Sequence, residues 1–189
     1  DVSISNYYSQ KNSVSSNDFA DLRGENSEYI LNNILNISSG YIEKYYEYIK
    51  KKKISKALIL FQVITPMKAG LLGVDNLNIQ LQKLFNHTKG KAFTSKVYEY
   101  KLTDKVIHIK NENMKAQTMS MYKSASTDFL ERRVYNGQLG LIIKLDFDEE
   151  KCIVLYPNDD MVVFYDFDNV HSLLSLAYCL TIHKTQGME

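Results

Sequence analysis

"KALILFQVITPMKAGLLGVDNLNIQLQKLF", Lys56 to Phe85, decides the fold class of this chain. Its first third, Lys56 to Thr65, is a nearly continuous apolar run rich in β-branched and aromatic residues. A strand buried on both faces of a parallel sheet reads this way. Pro66 ends the run, "MKAGLLG" makes a loop, and Leu77, Leu81 and Leu84 fall at helical spacing behind a cap expected near Asp75. Strand, polar loop and helix together form half of a βαβ unit, which places the chain in the α/β class.

Working upstream, Ile30, Ile34 and Ile37 predict a helix from Asn26, ended by "SSGY" with Gly40 as a left-handed cap. A second helix is expected from Tyr41 to Lys51, apolar at Ile42, Tyr45 or Tyr46, and Ile49. Residues 1–19, rich in Ser and Asn, read as a loosely attached segment. The run Lys50 to Lys53 with Lys56 is the strongest local cluster of positive charge. Its plainer reading, a solvated helix end with cations at the negative pole, is preferred.

Downstream of Lys91 the period changes. Short β-rich runs appear at Asp104–Asn111, Gly140–Phe147, Lys151–Pro157 and Met161–Phe167, separated by Asn136-Gly137, "DFDEE" and "PNDD". Strands at this spacing suggest a small antiparallel barrel. "RVYNGQLG" is read as a tight turn with Gly137 and Gly140 at special backbone angles. Lys110 to Arg132 reads as a long polar excursion. "LLSLAYCLTIH" then returns to a buried apolar strand, so the barrel is expected to be inserted into an α/β domain.

Composition bounds the chemistry. Of 189 residues, 44% are hydrophobic and 24% charged, with a net charge of +1, so any anion-binding surface has to be local. The two cysteines, Cys152 and Cys179, sit in apolar runs and are expected to be buried thiols of a cytoplasmic protein. No CxxC or HExxH spacing occurs, no metal is expected, and no apolar stretch is long enough to span a bilayer. The chain starts at Asp1 and ends on "LAYCLTIHKTQGME", and is read as an excised fragment.

That ending holds the densest candidate chemistry. Ligands of open α/β sheets bind beyond the carboxyl ends of the strands. Thr181 and His183 alternate onto one face and can donate to phosphate oxygens, and Lys184 adds charge. Gly187 admits a backbone, and Glu189 can accept from a ribose hydroxyl. The plainer alternative, a satisfied core pair with solvated neighbours, stands level with this one. At the other strand end, Thr65, Lys68 and two glycines could hold a backbone phosphate, although an ordinary turn before a helix is the preferred reading there.

Four blocks in order, "QVITPMKAGLLGVDNLNIQLQ", "DKVIHIKN", "VYNGQLGLI" and "LAYCLTIHKTQGME", resemble the C-terminal part of RecD-like helicases. These are superfamily 1B DNA helicases of the RecD/TraA family, also called exodeoxyribonuclease V alpha chain. The resemblance covers roughly Phe61 to Glu189. It implies a second RecA-like motor domain, of the P-loop NTPase type, over 1–91 and 169–189, with an SH3-like β-barrel over 92–168. It further implies that Thr65, Lys68, Thr181, His183 and Lys184 contact single-stranded DNA. Gln186, Gly187 and Glu189 would form one wall of an ATP cleft.

The implied parent unwinds DNA 5′-to-3′ in recombination and repair, with ATP and Mg²⁺ as cofactors. Its partners are single-stranded DNA and the first RecA-like domain, but no membrane; whether further helicase–nuclease subunits join it is left open by the residues. Three departures stand out. Asn136-Gly137-Gln138 replaces the family's Asn-Gly-Asp, Thr103-Asp104 replaces Gly-Asp, and "QGME" replaces Gln-Gly-Ser-Glu. No GxxxxGK[ST] loop exists, and Gly90-Lys91 is the only Gly-Lys pair. No catalytic set is therefore complete, and no ATP turnover is expected from these residues alone. The rival reading is a non-enzymatic module binding DNA or protein through the barrel; a nuclease built on "DFDEE" is rejected for want of a ligand arrangement.

Overall fold

A computed structural model describes residues 26–182 of the chain. The N-terminal layer begins with α1 (Ser27–Ser39), capped by the Asn26 side chain, which accepts from the Tyr29 N–H at 2.9 Å. Gly40 was expected in the left-handed region but is right-handed, with φ −63°. The Tyr41 N–H bonds Ser38 O, so the chain keeps helical sense into α2 (Ile42–Lys50) and no left-handed cap is needed. Of the two candidate tyrosines, Tyr45 is the buried one.

The expected strand over Lys56–Thr65 is corrected. Ile54–Leu58 form a short helix, α3, and only Val63–Thr65 are extended, as β1. Ala57 and Leu58 are buried while Ile59 is 73% exposed, which a doubly buried strand does not allow. A short apolar run alone does not separate buried helix from buried strand. The helix α4 (Val74–Phe85) follows as expected, except that its buried stripe is Leu77, Leu81 and Phe85 rather than Leu84. Its N-cap is Gly73, not Asp75; the Asp75 carboxylate instead accepts from the Tyr98 hydroxyl at 2.5 Å.

The second layer is β-rich. A hairpin of β2 (Phe93–Ser95) and β3 (Tyr98–Tyr100) precedes β4 (Lys105–His108), β5 (Glu112–Thr118), α5 (Met119–Lys123) and β6 (Leu130–Val134). Then come β7 (Leu139–Asp146), β8 (Lys151–Tyr156), β9 (Met161–Asp166), a 3₁₀ turn, α6 (Val170–Leu173), β10 (Leu174–Leu176) and β11 (Cys179–Thr181). Seven strands pair antiparallel in the order β10-β4-β7-β8-β9-β5-β6, bent by a bulge between Ile142 and Lys144. The expected excursion over 110–132 thus contains two strands. β5 buries only Ala116 and Gln117, and β6 exposes three of its residues, so too few apolar side chains mark either as a strand.

The run "LLSLAYCLTIH" is divided. Leu174–Leu176 pair with β4 in the seven-stranded sheet, past residue 168, whereas Cys179–Thr181 leave it and pair with β1. The two layers share one core, in which Phe61 stacks on Phe85 at 4.4 Å and Phe85 meets Tyr178. Both cysteines are buried free thiols. Among the described residues, no helix is long and apolar enough to cross a membrane, and no cluster of His, Cys, Asp and Glu is arranged to hold a metal.

Gly137 has φ 99°, as its turn requires. Gly140 does not need a special angle. A Cβ there would lie 2.5 Å from Val154 Cγ1, so close strand approach is what excludes a side chain. Thr103, where the RecD-like pattern has glycine, adopts φ 67°, a region that β-branched residues rarely tolerate. Its hydroxyl contact with Thr88 at 3.1 Å offsets part of that strain. Thr103→Gly is expected to stabilise the chain by about 1 kcal/mol in urea denaturation. A destabilised variant would show that the Thr88 contact outweighs the strain.

Candidate functional site

The two strand ends singled out by sequence lie side by side. β1 and β11 are parallel, with Val63 opposite Cys179, Ile64 opposite Leu180 and Thr65 opposite Thr181. Both therefore direct their carboxyl ends to one edge, to which the loop after β1 belongs. Thr181 is half-buried at this edge. His183, Lys184, Gln186, Gly187 and Glu189 lie outside the described residues.

The loop after β1 is built tightly. The Thr65 hydroxyl donates to Leu72 O at 2.7 Å and accepts from the Met67 N–H at 3.2 Å, so it closes the loop on itself. The Gly73 N–H bonds Gly70 O and the Val74 N–H bonds Met67 O, each at 3.0 Å. These amides serve the turn, and Lys68 is what the loop holds out to solvent, flanked by exposed Met67 and Leu71. Gly70 takes φ 90°, whereas Gly73 is constrained by space: a Cβ there would lie 2.5 Å from the carbonyl carbon of Ala69. Backbone cannot step aside as a side-chain tip can. Gly73→Ala is expected to cost about 2–3 kcal/mol by overpacking, read by urea denaturation. An alanine variant as stable as the parent would contradict this loop geometry.

Beneath the edge lies a buried polar assembly that sequence reading did not single out. Asn78 and Gln82 on α4, and Asn86 at its C-cap, recur every four residues beside the apolar stripe, and all three are buried. Asn78 donates to Cys179 O and accepts from the Cys179 N–H, both at 2.9 Å, as a neighbouring strand would. Gln62 donates to Val63, Ala177 and Tyr178 carbonyls, tying β1 to the approach to β11.

At the centre is Asp104, fully buried at the start of β4. Its carboxylate accepts from Gln82 Nε2 (2.6 Å), Asn86 Nδ2 (2.7 Å), the Lys101 N–H (2.7 Å) and the Tyr178 hydroxyl (3.0 Å). Burial raises its pKa to about 6, and the donated hydrogen bonds oppose that rise. Next to it Lys105 is also buried, donating to Phe61 O (3.2 Å) and Gln62 Oε1 (3.0 Å) and lying 5.6 Å from the Phe61 ring centre. Burial lowers its pKa to about 7. The helix, the paired strands and the seven-stranded sheet thus meet at two adjacent ionisable residues.

His108 is buried as well. Its Nδ1 lies 3.0 Å from the Tyr165 hydroxyl, which in turn lies 2.7 Å from that of Tyr156. Burial pushes its pKa down to about 4, so at neutral pH it is an uncharged core residue. In the Asn-Gly turn, Gln138 accepts from the Tyr135 N–H at 2.6 Å and donates to Asp159 at 2.9 Å, fastening the turn where the RecD-like pattern has an acid.

A small bent antiparallel sheet carried by a helix and a parallel strand pair defines an SH3-like domain attached to an α/β segment. Residues 77–156 match the family described as the ATP-dependent RecD-like DNA helicase SH3 domain. The ATP-dependent RecD2 DNA helicase of Deinococcus radiodurans is 31% identical over 128 residues, covering 68% of this chain and 15% of that protein. The chain is thus similar to a segment of a RecD-like helicase and spans only a small part of that relative's length.

Proposed function

We propose that this chain is part of the second RecA-like motor domain of an ATP-dependent DNA helicase, with the barrel, which β10 at Leu174–Leu176 joins, inserted between β1 and β11. Single-stranded DNA crosses the carboxyl ends of β1 and β11, contacted by Lys68, Thr181, His183 and Lys184. The parent moves 5′-to-3′ in recombination and repair in the cytoplasm, completed by a first RecA-like domain. One observation carries this reading. β1 and β11, separated in sequence by the whole seven-stranded sheet, pair in parallel with Thr65 beside Thr181. Thr65 itself shapes the loop that presents Lys68.

ATP and Mg²⁺ belong to that parent, with Gln186, Gly187 and Glu189 as one wall of the cleft. The described residues do not fit a nucleotide by themselves. Gly90-Lys91 sits in the loop between α4 and β2, where no helix begins, and the Lys91 ammonium rests 5.4 Å from the Phe147 ring centre. No catalytic step is assigned to this chain alone.

The chain is expected to bind single-stranded DNA weakly. Neutralising ~3 phosphates gives a log–log salt slope of about −2. His183→Ala should weaken binding more than Lys53→Ala, measured by fluorescence anisotropy with an oligo-dT. A dominant effect of Lys53→Ala would move the site to the lysine run.

A second reading, a binding module built on the barrel, draws on the edge strand β6. Arg132 and Arg133 are exposed there, and the Arg133 guanidinium lies 5.8 Å from the exposed Tyr135 ring. An exposed cation–aromatic pair suits stacking on a single strand. Loss of DNA binding in Tyr135→Ala with His183→Ala silent would favour it.

A further inference from the structure

The lysine run does not simply fringe a helix end. α2 closes with Lys52 in the left-handed region at φ 56°, where glycine is the usual occupant, and the Lys53 N–H returns to Tyr48 O at 2.8 Å. Lys51 is paired with Glu47. The turn carries Lys52 and Lys53 to the rim of a cavity of about 560 Å³ between α3, α5 and the end of β8. Lys56 and Lys123 complete the rim, and Ile54, Met119, Leu155 and Pro157 line the apolar interior.

None of these four lysines forms an ion pair with a described residue. The one acid on the rim, Asp160, accepts from the Met119 N–H at 3.4 Å. Ile54 and Met119 pack against the buried cluster of Ile153, Leu155 and Val162, so the floor is continuous with the core.

We propose that this cavity is a docking site for an acidic peptide segment of a partner protein that inserts one large apolar side chain. Charge complementarity commits it to an acidic partner: four cations converge on a cavity with a single carboxylate. The apolar floor favours a peptide over a nucleic acid. No aromatic ring or arginine lines the cavity to stack a base or grip a phosphate bidentately, while its volume suits a buried side chain. The site is remote in role from the β1–β11 edge, where Lys53 is expected to matter little.

The test is fluorescence anisotropy on the whole chain with a labelled peptide of alternating Asp and Gly ending in Phe. The same peptide ending in Ala, and a labelled oligo-dT, serve as comparisons. The Phe peptide is expected to bind, with Lys53→Glu/Lys123→Glu weakening it about tenfold or more through charge reversal. Replacing its Phe by Ala should weaken binding by about fivefold or more through lost apolar burial. Both substitutions alter exposed side chains, and an unchanged circular dichroism melt verifies the fold. Three results each overturn the proposal: no peptide binding, binding indifferent to the charge reversal, or oligo-dT displacing the peptide while loss of Phe has no effect. The last would make the cavity a nucleic-acid contact instead.

Discussion

Asp104→Ala is expected to destabilise the chain by about 4 kcal/mol, read as a shift of the urea midpoint at pH 7. Four donors converge on this carboxylate, and alanine strands them in the core. Gln82 and Asn86 keep second acceptors in Glu99 O and Leu102 O, but the Lys101 N–H has no such recourse in the present geometry. Asp104→Asn is expected to cost about half as much, because its amide group sets a donor against one pair of donors. An alanine variant within about 0.5 kcal/mol of the parent, the range of surface changes, would mean that the assembly is not what joins helix to sheet.

The second large effect is on pH dependence, through Lys105. Its folded pKa is lowered to about 7 from 10.5 by burial, so between these values the unfolded chain binds more protons than the folded one. Stability contributed by this group is therefore present above pH 10.5 and lost as pH falls through 7. At about 1.4 kcal/mol per pKa unit, the wild type should gain on the order of 5 kcal/mol over that window.

Lys105→Met removes the titration, and its stability, measured at the same pH values, should lack this rise. Buried tyrosines, whose pKa values are raised, weaken both proteins alike at high pH and cancel in the difference. Asp104 acts in the opposite sense. Its raised pKa favours folding at acid pH, an advantage lost as pH rises through about 6. Parallel stability profiles for Lys105→Met and wild type between pH 7 and 10 would contradict a Lys105 whose pKa burial has lowered.

What could be read from the residues follows from how strongly each segment is patterned. α4, β4, β7, β8 and β9 carry long apolar periods and were legible. Lys56–Leu58 were misread because an apolar run is compatible with either buried helix or strand, and β5 and β6 were missed because edge and near-edge strands bury few side chains. The candidate site was legible only as two strand ends; their parallel register is long-range information that no local pattern carries.

The polar ladder Asn78, Gln82, Asn86 did leave a signal. Carboxamides at every fourth position, each following Leu77, Leu81 or Phe85, place two stripes side by side along α4 and its C-cap, both buried. Such a stripe reads as a solvated face unless the helix is known to be covered on two sides. Thr65 shows the converse: a hydroxyl at the expected place, used by the loop itself.

The most direct measurement is hydrogen–deuterium exchange of the chain with and without saturating oligo-dT. The motor-domain reading predicts new protection confined to the two strand-end segments, residues 65–73 and 181–187, with the seven-stranded sheet unchanged. Protection confined to β6 and its flanking Tyr135, or to the lysine turn at 50–56, with the strand ends unaffected, would contradict it.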